Sequence, residues 1–238
     1  MYIPYYLCGV VRRALIKEKC KPLFYHIDDN FMPVQNFPED AFILYPNYFG
    51  ICDKNIDALA EKYPHLIVDN AHSFYSEPKG FACFNSARKF LPVYNGSYLW
   101  IRDLKGKYAQ ENIFCPAPKN EEEIYKNELK FEEAEIEFLH KDTVQIIDNS
   151  DTLQTRKLKF SELHKKYSEI NLLNIDGSVC SPFCYPCLLK SETEADKLAE
   201  KLKLTGIRIY RYWEKLPESF PEYKYFSRLV AIPLGKEL

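Results

Sequence analysis

At 238 residues, 46% hydrophobic and 28% charged, the chain can bury a core in one large domain or two modest ones, and long disorder is not expected. Its 32 Lys and Arg against 34 Asp and Glu leave a formal net charge of −2, which excludes the basic field that nucleic-acid binding needs. No apolar run reaches the length of a membrane span, and the opening Met1-Tyr2-Ile3-Pro4-Tyr5-Tyr6 lacks the pattern of a secretory leader, so a cytoplasmic protein without membrane partners is expected.

The first half alternates apolar runs with helix-like stretches. Runs at 23–27, 41–45 and 66–68 read as strands buried on both faces. Between the last two, residues 54–62 place Ile56, Leu59 and Ala60 on one helical face, with Asp53 as the expected cap. Further strands are expected at 81–84 and 97–101. Asn95-Gly96 before the second reads as a hairpin turn or as a glycine turn following a site lysine. Pro116 and Pro118 mark a change of character. From 120 to 141 the chain is highly charged, yet Tyr125, Leu129, Ile136 and Leu139 fall on one helical stripe, the pattern of a surface or interdomain helix. The last third reads as a helix over 155–167, a strand around 183–185, a helix over 192–203, and strands at 207–210 and 229–232. The expected class is therefore α/β, with a mostly parallel sheet followed by a smaller α+β unit.

Asp69 closes the run Leu66-Ile67-Val68-Asp69, and Lys89 follows twenty residues later in the polar turn Ser86-Ala87-Arg88-Lys89. A carboxylate at the end of a buried strand and a lysine downstream are the two groups that pyridoxal 5'-phosphate (PLP) chemistry needs. The aldehyde requires an amine, and the pyridine nitrogen requires an acid that keeps it protonated. His72, three residues beyond Asp69, reads as a site residue rather than a core histidine. His26, His65, His140 and His164 have no carboxylate-and-histidine arrangement in the sequence and read as surface or packing residues. The eight cysteines, at 8, 20, 52, 83, 115, 180, 184 and 187, are mostly isolated in apolar context. Cys180, Cys184 and Cys187 lack a fourth ligand at zinc spacing and read as packing, so no metal is expected.

Tyr-Ile-Pro-Tyr-Tyr, Phe-Tyr-His-Ile-Asp, Val-Asp-Asn-Ala-His, Ser-Ala-Arg-Lys-Phe and Asn-Gly-Ser-Tyr-Leu occur in this order, and together they resemble the PLP-dependent sugar aminotransferases of the DegT/StrS class, of fold type I. Arg156 to Leu163 resembles that family's lead-in to its small domain, and Cys184-Tyr185-Pro186 with Gly206 to Trp213 its closing strands, so the resemblance runs from Tyr2 to about Leu234. It implies a PLP-binding large domain over 1–118, a linking helix region over 119–150 and a small α+β domain over 151–238. It also implies transfer of an amino group from an amino acid such as glutamate to a nucleotide-linked keto-sugar, by a homodimer. Residue by residue, Lys89 matches the Schiff-base lysine and Asp69 the partner of the pyridinium nitrogen. His72 matches the residue beside the ring. Ser86 lies near the phosphate position, and Tyr6 is a cofactor neighbour. Asn47, Tyr48 and Arg211 are weaker candidates on the substrate side.

Two features depart from the family. Its phosphate-gripping helix would lie before Met1, and its ring-stacking aromatic falls on Cys8, with Tyr5 and Tyr6 adjacent. The alternative reading is a shortened homologue that no longer transaminates and serves as a binding or scaffolding protein.

Overall fold

The computed structural model describes residues 1–93, 95–102, 141–175, 179–213 and 216–235. The helical stripe expected at Tyr125, Leu129, Ile136 and Leu139 lies outside them, as does His140.

Six strands form one sheet in the order β2-β1-β3-β4-β5-β6. They are β1 (Tyr2–Pro4), β2 (Leu23–Tyr25), β3 (Ile43–Pro46), β4 (Leu66–Asn70), β5 (Ala82–Asn85) and β6 (Leu99–Ile101). All pair in parallel except β6, which runs antiparallel to β5. Helix α1 (Gly9–Lys17) connects β1 to β2, and α2 (Asp53–Lys62) connects β3 to β4. A parallel sheet covered on both faces has no polar side to alternate with, which is why Ile43 to Pro46 are all buried. β1 and α1 were not anticipated, because a three-residue strand and a short basic helix carry little periodic signal.

Several expectations need correction. The run at 23–27 is not buried on both faces: β2 is an edge strand, and Leu23 and Phe24 are exposed. Asp53 does not cap α2; Cys52 holds the cap position, and its N–H donates to Asn47 Oδ1 at 2.9 Å. Asp53 Oδ1 instead accepts hydrogen bonds from Asn47 Nδ2 and Ser76 Oγ, at 3.2 and 2.9 Å. Asn95-Gly96 is not a two-residue hairpin. The β5–β6 connection runs from Ser86 to Tyr98, and Gly96 O accepts the Ala87 N–H at 2.8 Å. His26 does have a carboxylate: its Nδ1 lies 3.0 Å from Glu222, which is fully buried and also accepts the Ile27 N–H at 2.7 Å. That pairing joins positions nearly two hundred residues apart, beyond the reach of local pattern.

In the later part of the chain, α3 (Lys141–Asp148) precedes α4 (Leu153–Tyr167), and β7 (Cys184–Leu188) pairs antiparallel with β8 (Leu229–Pro233). Helix α5 (Glu192–Leu204) starts at Ser191, whose hydroxyl accepts the Glu194 N–H at 3.2 Å, and α6 (Tyr223–Ser227) precedes β8. Arg156, Phe160, Leu163 and Tyr167 fall on one stripe of α4, and the last three pack with Tyr185, Cys187, Val230 and Ile232. Pro186 is tolerated within β7 because this sheet has only two strands, so the missing N–H can face outward. The strand expected at 207–210 is reduced to one bridge, Tyr210 to Ala231. Cys184 and Cys187 are core residues of β7, and among the described residues no cluster of His, Cys, Asp or Glu is placed to hold a metal ion. Nor is any described helix long and apolar enough to cross a membrane.

The two parts meet at a turn. Tyr48–Gly50 follows β3 as a short 3-10 segment, with Phe49 at φ 56° and Gly50 at φ 73°. A Cβ on Gly50 would sit 2.3 Å from Ser181 O and 2.4 Å from His72 O. Phe49 O accepts the Phe183 N–H at 3.0 Å. This close approach seats residues 181–183 against the sheet. Gly206 supplies the control, because it has φ 78° but nothing within 4 Å of its missing Cβ. Gly206→Ala should cost about 1 kcal/mol, the strain of a left-handed residue alone. Gly50→Ala must also displace two backbone carbonyls and should cost at least about twice that, as urea unfolding of the two variants would show.

Candidate active site

The register of the central strands places Pro46 opposite Asp69 and Asp69 opposite Phe84, so β3, β4 and β5 end side by side. In an open parallel sheet the carboxyl ends of the strands are where ligands bind, since chain connections leave a crevice there. Asp69 is buried at this edge. Among the described residues its carboxyl receives one hydrogen bond, from the Ala71 N–H at 2.9 Å. Burial pushes its pKa up, against the smaller opposing pulls of that N–H and of the Lys89 charge.

Lys89 ends the 3-10 turn Ala87–Lys89 after β5 and is half-buried. Its Nζ lies 5.7 Å from the centre of the Phe183 ring. The same ring stacks on His72, with centroids 4.4 Å apart and planes 17° apart, and Trp213 lies against the imidazole at 5.4 Å and 21°. His72 is buried, and its Nε2 has no hydrogen-bond partner. Burial, and secondarily the charge of Lys89, hold its pKa well below the ordinary imidazole value. His72 is therefore neutral at physiological pH.

Asp69, His72 and Lys89 thus form one electrostatic unit. Ser86 sits three residues before Lys89, half-buried, with its side chain making no hydrogen bond to the turn it precedes. Asn47 lies beneath the unit: its N–H donates to Asp69 O at 2.9 Å and its Nδ2 to Asn70 Oδ1 at 3.1 Å. Tyr48 and Tyr6 lie one ring farther from His72, on Trp213. The two rings stack in the core at 5.7 Å, the Tyr48 hydroxyl donates to Tyr6 O, and Tyr6 also packs on Trp213 and Tyr225. Arg211 points away, with its guanidinium donating to Phe226 O and Ser227 O beside α6 and to Asp196 on α5. Phe183, Trp213 and Arg156 escaped the sequence reading. They come from distant segments: Arg156 opens the family-like lead-in to the small domain, Trp213 ends a closing motif, and Phe183 had only its place in an expected strand to suggest it.

The residues present suit a PLP ring and aldehyde. A buried carboxyl with so little hydrogen bonding becomes a stable anion only when a cation is brought to it, as a protonated pyridine would be. Lys89 is the nearby amine, and the unpartnered His72 Nε2 is a polar atom that lacks a ligand.

No protein-family model matches the sequence, and no curated protein matches it significantly. Solved structures do match its fold. A sugar aminotransferase from Micromonospora echinospora aligns with TM-score 0.59 at 11% identity, over 98% of this chain and 75% of that one. A proposed PLP-dependent aminotransferase from Bacillus cereus aligns with TM-score 0.57 at 14% identity, over 100% of this chain and 75% of that one. An 8-amino-7-oxononanoate synthase from Francisella tularensis aligns with TM-score 0.51 at 15% identity, over 98% and 68%. The chain has the α/β fold of PLP-dependent transferases.

The His72 environment makes a pH prediction. Its folded pKa is depressed, so below the ordinary value of 6.5 the unfolded chain takes up a proton that the folded chain refuses. Stability present above pH 6.5 is then lost as the pH falls, with a slope of at most about 1.4 kcal/mol per pH unit. Denaturant midpoints of wild type and His72→Phe, compared between pH 8 and pH 5, should diverge below pH 6.5, with the wild type losing more.

Proposed function

We propose that the chain is a PLP-dependent aminotransferase, acting on a nucleotide-linked keto-sugar with an amino acid such as glutamate as donor. The observation that carries this reading is that Asp69 lies at the end of β4, with His72 just beyond it and Lys89 in the turn after β5, the last two against one ring, Phe183, in a fold shared with PLP-dependent transferases. The sugar and the donor rest on the family resemblance in the sequence, and the Micromonospora structure is described as a sugar aminotransferase.

In this reading Lys89 supplies the amine that takes the cofactor aldehyde. Asp69 would keep the pyridine nitrogen protonated, and His72 would offer Nε2 to the ring. Ser86 would offer its hydroxyl to the phosphate. When bound, PLP supplies the electron sink for carbanion chemistry that no amino-acid side chain provides. The rest falls to the protein. Lys89 Nζ, when uncharged, would be the base that moves a proton between carbon atoms. Asp69, shielded from water, keeps its carboxylate directed at one cationic atom rather than at solvent. His72 stays neutral and adds no charge to compete with that pairing.

A second reading keeps the fold without the catalysis. It draws support from Phe183 and Trp213, which stack on His72, and from Tyr6, which is committed to the aromatic core.

Borohydride treatment of the protein with PLP, followed by peptide mapping, should place the phosphopyridoxyl group on Lys89. A label on other lysines with Lys89 unmodified would favour the second reading. Asp69→Asn should lower turnover by about 10²-fold or more while changing cofactor affinity far less, because an amide cannot hold the ring nitrogen protonated. Near wild-type turnover would show that Asp69 does something else.

A further inference from the structure

We infer that Arg156, on α4, is a positioning residue that sets the place of the Lys89 amine. The inference rests on the proposed function only in taking Lys89 as the reacting group.

Arg156 is buried at 4% exposure, an expensive position for a side chain that stays charged at any physiological pH. Its fork is spent on particular atoms. Nη2 donates to Lys89 O at 3.2 Å, and Nη1 donates to Phe183 O at 2.9 Å. Nε donates to Thr152 Oγ1 at 3.3 Å, and the guanidinium lies 4.6 Å from the centre of the Phe90 ring. One rigid plane therefore grips the backbone of the lysine and the backbone of Phe183, whose ring lies against both the lysine amine and His72.

The two gripped segments have no covalent reason to keep a fixed distance, since they are 94 residues apart in sequence (183 − 89). Phe183 is held from its other side by Phe49 O, so the ring cannot follow Lys89 if the turn shifts. Without the fork, the 3-10 turn and the ring could slide past each other. A reacting amine displaced by even about 1 Å loses much of the benefit of orientation. Lysine could not substitute. An ammonium is a point donor, and bridging two carbonyls while stacking on a ring calls for the planar fork.

The plain alternative is that Arg156 merely staples α4 to the sheet. Competitive labelling of amines with trace acetic anhydride, read by peptide mass spectrometry without any cofactor, separates the two. Lys190, which is exposed, serves as the internal reference. The ratio of Lys89 to Lys190 labelling should change threefold or more in Arg156→Met and in Arg156→Lys, and by a smaller factor in Thr152→Val, which removes the acceptor of Nε together with the hydroxyl's own contacts to Phe90 O and the Tyr75 hydroxyl. Failure of Arg156→Lys to restore the ratio is what a positioning fork requires and a simple buried charge does not.

A ratio unchanged in a folded Arg156 variant overturns the inference, and so does a uniform change across all lysines. If neither Arg156 variant keeps its near-ultraviolet circular dichroism, Thr152→Val decides alone, and an unchanged ratio there is equally fatal. The proposed function is judged separately. A ratio that depends on Arg156, with no borohydride adduct in wild type, keeps the positioning role and removes the cofactor. An adduct on Lys89 with an unchanged ratio does the reverse.

Discussion

A carboxyl group at the end of a central parallel strand has little water to charge it, and Asp69 occupies that place. Left alone, such a group drifts toward its protonated form, the direction in which burial pushes Asp69. The site can be understood as a response to that cost. Ala71 contributes one N–H, Lys89 contributes charge from the turn after the next strand, and His72 is kept neutral and adds no second positive charge beside Lys89. A protonated ring nitrogen would complete the compensation. The chemical reading follows from this imbalance more than from any one residue.

Holding the arrangement takes both parts of the chain. The six-stranded sheet supplies Asp69, His72 and Lys89, but the ring that touches the last two is Phe183, just before β7. Two devices seat Phe183. The Tyr48–Gly50 turn passes so close to Ser181 and His72 that only glycine fits at position 50, and Arg156 ties the Phe183 carbonyl to that of Lys89. Strand order reverses between β1 and β3, and there Tyr6, after β1, and Tyr48, after β3, pack on each other and on Trp213. Asp69 and Lys89 lie farther along the sheet, at the end of β4 and in the turn after β5.

Strands β3 to β5 and helices α2, α4 and α5 were legible because their signals are local: apolar runs for buried strands, and one apolar stripe for each helix. Asp69 and Lys89 stood out as candidates because an acid at a strand end was followed, in that order, by a lysine in a polar turn, and His72 because it lies three residues beyond the acid. Other features depended on distance. The Glu222 carboxylate under His26, the rings of Phe183 and Trp213, and the Arg156 fork all bring together residues far apart in sequence, and no periodicity announces them. Asp53 misled for a related reason. An acidic residue before an apolar stripe reads as a helix cap, yet here its carboxylate is drawn into hydrogen bonds with Asn47 and Ser76. Tyr6 and Tyr48 are hard to read from sequence because aromatic residues at strand ends look alike whether they face a ligand or fill a core.

The central claim is that Asp69 is a buried carboxyl waiting for a cationic ring nitrogen. It is tested most directly by the ¹⁵N chemical shift of PLP labelled at the pyridine nitrogen, measured with wild type and with Asp69→Asn. The account predicts a protonated nitrogen on the wild-type protein at neutral pH and an unprotonated one on the Asn variant. A nitrogen in the same protonation state on both proteins, or no bound PLP on the wild type, would contradict it.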